Sequence, residues 1–105
     1  MLALVGDTLY VAAWAVIEIE LEGEDGERSL ARFAGRLLAS EDESRPFERD
    51  VYLTARGQLL VYYYTEHFYT THELTEENLA RVLRGEPLQK ARRALGWMPV
   101  DDLDV

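Results

Sequence analysis

From Leu9 to Glu22 the chain alternates in a way that leaves little choice of local structure. Val11, Ala13, Ala15, Ile17, Ile19 and Leu21 fall on one side of an extended strand, because successive side chains of a strand point to opposite faces. Glu18, Glu20 and Glu22 fall on the other side, as a carboxylate row with a repeat of roughly 7 Å. The first half of this segment is apolar on both sides and calls for cover on both; the second half calls for a core on one side and solvent on the other. A strand of this kind needs a sheet to belong to, so the rest of the chain is read for its neighbours.

Before it, Leu2 to Val5 and the Gly6-Asp7 pair predict a tight hairpin of type II′, which accepts glycine at its first turn position. After it, Glu24-Asp25-Gly26-Glu27 is a turn by composition. The spacing of Leu30, Phe33, Ala34, Leu37 and Leu38 then predicts a helix capped by Ser29, with Arg28, Arg32 and Arg36 on its exposed side. Ser40 to Pro46 reads as a polar loop. Asp50 to Ala55 and Leu59 to Thr65 predict two strands around an Arg56-Gly57 turn, and Phe68 to His72 a further short strand or the continuation of a bent one. Thr75 caps a helix whose first turn carries Glu76 and Glu77 and in which Leu74 staples onto Leu79; Gly85 closes it. Pro87 opens a second short helix at its first position, ending before Gly96.

These elements make an α+β fold: an antiparallel sheet of four to five strands with two to three helices packed on one face. Residues 1–100 are expected to form a single domain and 101–105 an acidic, flexible tail. At 105 residues the chain buries one core without needing staples. It has no cysteine, which removes disulfides, thiolate metal sites and cysteine nucleophiles. The longest apolar run, Leu9 to Ile17, falls short of the ~20 residues of a membrane helix and has no basic region before it, so a cytoplasmic protein without membrane attachment is expected.

Charge narrows the partners. Twenty acidic residues against eleven basic ones give a net charge of −9, which disfavours direct nucleic-acid binding and suits either a basic protein surface or solubility alone. Seven acids and no base lie between Met1 and Glu27. The candidate partner-binding residues are therefore Glu18, Glu20, Glu22, Glu24 and Asp25, spaced like the phosphates of a nucleic-acid strand. The other reading of that row is protection of a sheet edge. Tyr62 and Tyr64 join the set, since Tyr62-Tyr63-Tyr64 on a strand places at least one tyrosine away from the helices, and tyrosine is enriched in interfaces. Cross-strand packing is the competing reading, and a homodimer through the tyrosine face is the alternative function.

Catalysis lacks parts. The two histidines, His67 and His72, are five residues apart with no HExxH or two-His-one-carboxylate spacing, so no metal, cofactor or catalytic residue is assigned. A small hydrolase using a histidine and a glutamate is the weakest alternative. The glycines are scattered and build no phosphate loop. Trp97-Met98-Pro99-Val100 and the acids after it read as an end that packs its tryptophan on the domain.

Val51 to Thr54, the Arg56-Gly57 turn, Leu59 to Tyr64 and the Leu74-Thr75-Glu76-Glu77 helix start resemble small proteins of phages and plasmids. In size, acidity and lack of catalytic equipment the chain is similar to phage-encoded inhibitors of bacterial defence, including anti-CRISPR proteins. The resemblance covers roughly a third of the chain, carries no diagnostic motif and transfers no site residue. It implies an inhibitor that occludes the basic, nucleic-acid-binding surface of a nuclease or CRISPR effector subunit.

Overall fold

The structure is a computed structural model that describes residues 14–41, 48–99 and 101–104. Five strands form one antiparallel sheet in chain order: β1 (Ala15–Glu22), β2 (Arg28–Glu41), β3 (Arg49–Thr54), β4 (Gln58–Tyr63) and β5 (Phe68–Glu73). Two helices follow, α1 (Glu76–Val82) and α2 (Gly85–Ala94). The sheet and two helices give the α+β class. The hairpin expected at residues 2–8 and the loop beyond Glu41 lie outside the described residues, and the first strand is described from Ala15 onward.

The largest departure from the sequence reading is β2. Residues 28 to 41 form a 14-residue strand, not a helix. Its first half pairs with β1, from Glu22↔Arg28 to Ala15↔Gly35, and its second half pairs with β3, from Gly35↔Thr54 to Glu41↔Arg49. Two positions let one strand serve both partners. At Gly35 an added Cβ would lie 2.7 Å from the carbonyl oxygen of Leu53 and 2.9 Å from the Phe33 ring, so only glycine lets β3 come this close. Between Leu37 and Ala39 the register slips by one residue, a bulge that sharpens the local bend. The bulge also turns consecutive residues, Leu38 and Ala39, into the same buried cluster.

The sheet thereby buries both faces. Leu59 and Val61 of β4 join Val51, Leu53, Leu79, Val82, Leu83 and Ala91 in one cluster, so both helices share a core with these alternate strand positions. Leu60 and Tyr62, pointing the other way, join Ile19, with Ile17, Leu21, Phe33 and Tyr52 packed around them. β1 and β4 are not neighbours in the sheet, so this second cluster exists because the β1–β2 hairpin curls over.

The helix starts and stops are local chemistry. The Thr75 hydroxyl oxygen accepts from the amide of Asn78 at 3.0 Å, ahead of Glu76 and Glu77. α1 ends earlier than expected, because Leu83 leaves the helix in an extended conformation and is fully buried. Gly85, expected to close α1, has φ 59° and instead begins α2; Pro87 sits in the first turn of α2, where its missing N–H has no helical partner to lose. Gly96 (φ 75°) ends α2 in a Schellman motif, its amide donating to Arg93 O at 3.1 Å and that of Trp97 to Arg92 O at 2.8 Å. Residues 101–104 are exposed and without regular structure. No helix among the described residues is long and apolar enough to cross a membrane.

Gly35→Ala places a methyl against backbone that cannot move aside, and is expected to cost about 1–3 kcal/mol. Urea unfolding measures it, and a neutral result contradicts the close approach of β2 and β3.

Candidate functional site

The candidate surface is the β1–β2 hairpin and the strands beneath it. Ile17, Ile19 and Leu21 turn inward, which sends Glu18, Glu20 and Glu22 outward as the alternation requires. They do not stand alone. The register sets Glu18 opposite Arg32 and Glu22 opposite Arg28. Arg32 Nε reaches Glu18 Oε2 at 2.8 Å, while Arg28 binds Glu20 Oε2 through Nη1 and Glu22 Oε1 through Nε, both at 2.9 Å. The expectation of an uncompensated row is corrected here: three carboxylates share two guanidiniums. Arg28 and Arg32, assigned in the sequence to a helix, are the counter-ions, since a spacing of four keeps residues on one face of a strand as well as of a helix.

Negative charge survives at the end of the hairpin. Glu24, Asp25 and Glu27 are exposed and enter no ion pair among the described residues. Six acidic residues and two basic ones lie between Glu18 and Arg32. The turn that carries them is ordered by its own bonds. Gly23 donates to Glu27 O at 2.8 Å, Gly26 to Gly23 O at 3.0 Å, and the Glu27 amide to Asp25 Oδ1 at 3.0 Å. Gly26 takes φ 82°, which a side chain would resist.

The tyrosines are placed differently from expectation. Tyr62 is 8% exposed and works inside the fold. Its hydroxyl donates to Glu20 O at 2.6 Å and accepts from Glu20 N at 3.2 Å. It occupies the place a neighbouring strand would take, and so closes the outer edge of β1 at that residue. At Glu20 this hydroxyl joins the charged row in guarding the edge. Beside it, the Glu22 amide donates to His67 O at 2.9 Å, and His67 offers that carbonyl from a left-handed conformation with φ 62°. Tyr64 is half-buried against the same cluster. Tyr63 faces the other way, stacked on Phe68 with ring centroids 4.5 Å apart and with the Arg49 guanidinium 5.4 Å from its own.

The hydroxyl of Tyr62 and the carbonyl of His67 carried no sequence signal, because each matters only once residues 42 or more apart meet. His72 bonds Thr70 Oγ1 through Nε2 at 3.0 Å. Among the described residues no three His, Asp or Glu side chains are grouped as metal ligands would be.

Two outcomes test this geometry. Tyr62→Phe removes both bonds to Glu20 and is expected to cost about 1–3 kcal/mol, with faster hydrogen exchange at the Glu20 amide; unchanged exchange there contradicts the edge role. Tyr52, half-buried against Phe33, has its phenol pushed up to about 12, by burial first and then by the neighbouring Asp50 charge. A phenol pKa raised above its unfolded value of 10.0 gives stability that is complete below that value and is lost as pH rises towards about 12. Ultraviolet titration should therefore show a late phenol that Tyr52→Phe removes. No family model, curated protein or solved structure matches the chain.

Proposed function

We propose that the chain is a non-enzymatic binding domain that docks on a basic protein surface through the end of its β1–β2 hairpin. The observation that carries this reading is the local charge imbalance. Glu20 and Glu22 share Arg28, and Glu24, Asp25 and Glu27 beyond them have no cation at all among the described residues. Potential of one sign on a projecting element speeds encounter with a surface of the other sign and rejects like-charged partners. The turn's own hydrogen bonds fix the backbone that carries these residues, and the Asp25 carboxylate itself, before contact, which lowers the ordering cost of binding. Leu30, 63% exposed and opposite Glu20, adds an apolar contact on the outer face of the hairpin.

The resemblance to phage-encoded inhibitors of bacterial defence supplies the partner class: the nucleic-acid-binding surface of a nuclease or a CRISPR effector subunit. Under this reading Glu24, Asp25 and Glu27 provide the charge, while Glu18, Glu20 and Glu22 with their arginines shape the arm. Tyr62 supports the arm from below, which leaves the homodimer reading without an exposed Tyr62 to build on.

Glu24→Lys with Glu27→Lys leaves the Asp25 turn bond in place and reverses the charge. With a partner isolated from bacteria carrying defence systems, the double variant is expected to bind at least about tenfold more weakly, or about 1.4 kcal/mol, with an unchanged melting temperature. Equal affinity of the variant, or a captured partner without a basic face, refutes the proposal.

A further inference from the structure

The curled hairpin does not close fully onto the sheet. Between the two layers lies a cleft of about 410 Å³, within the range of about 300–1,000 Å³ typical of small-molecule sites. Its floor is apolar: Ile19 and Leu60 are buried, and Ala31 and Phe33 are half-buried. Its exposed rim carries Arg56 from the β3–β4 turn, Gln58 at the start of β4 and Thr71 of β5, beside Ala55 and Tyr69.

Arg56 is the informative residue. Two arginines line the cleft: Arg32 is held by Glu18, whereas Arg56, like several other basic side chains, enters no ion pair among the described residues. The turn that presents it is fixed, with Gly57 at φ 84° and its amide donating to Thr54 O at 2.9 Å. Gln58, whose backbone amide donates to Thr54 Oγ1 at 3.1 Å, lines the same rim. A guanidinium and a carboxamide beside an apolar floor complement a carboxylate joined to an apolar body, since a guanidinium can bind a carboxylate through two parallel hydrogen bonds. We propose that this cleft is a binding site for a small monocarboxylate, its carboxylate on Arg56 and its apolar body over Phe33 and Leu60.

The site is independent of the acidic hairpin end and of any protein partner. Octanoate, octanol and acetate are the probes, titrated into the full chain while the methyl resonances of Ile19 and Leu60 are followed by NMR. Octanoate is expected to give saturable shifts at both residues and to bind at least tenfold more tightly than octanol or acetate. Arg56→Gln, at an exposed turn, is expected to weaken octanoate about tenfold and leave octanol unchanged; Thr71→Trp, at the rim, is expected to block both. The absence of saturable shifts at Ile19 and Leu60, or equal octanoate affinity in Arg56→Gln, overturns the proposal.

Discussion

A strand of 14 residues that pairs with one neighbour along its first half and another along its second has to change direction between them. In this protein the change is concentrated at Gly35, where β3 backbone fills the space a side chain would need, and at the bulge that follows. The bend brings Ile19 onto Leu60 and Tyr62, puts the glutamates outside, and carries the acidic turn to the carbonyl of His67. The second core, the closed edge of β1 and the interlayer cleft all follow from it. The helical side shares in it, since the bulge sets Leu38 and Ala39 into the cluster that Leu79, Leu83 and Ala91 complete.

How much of this was legible in the chain depends on the range of the interaction. β3, β4 and β5 follow from alternation and from one glycine turn, and the start of α1 from a threonine and two acids, all read within a few residues. β2 was read as a helix because Leu30, Phe33, Ala34, Leu37 and Leu38 match helical spacing and the segment has no β-branched residue. In the structure those five residues are divided between surfaces. Leu30 is exposed, Phe33 edges onto Tyr52, and Leu38 enters the helix-side core through the bulge. Tertiary pairing overrode propensity, as it commonly does for strands. Gly35 in the middle of an apparent helix was the available warning, since glycine costs a helix interior about 1 kcal/mol.

The candidate surface was legible in composition but not in balance. The acids of the first strand and turn stand where alternation puts them. Their pairing with Arg28 and Arg32 follows from the hairpin register and could not follow from a helix. Mutual screening of the row leaves the turn acids as the exposed charge. Tyr62 illustrates the converse: three adjacent tyrosines advertise a surface, yet the hydroxyl of one satisfies a peptide 42 residues away.

The hold on the hairpin is thin for its length. Among the described residues, what fastens it to the strands beneath is the Tyr62 hydroxyl, the peptide hydrogen bond from Glu22 to His67 and the packing of Ile17, Ile19, Leu21 and Phe33. Loss of those ties would expose Ile19, Leu60 and Tyr62 on one face of the sheet, whereas Leu59, Val61, Leu79 and Leu83 lie in the cluster on the other.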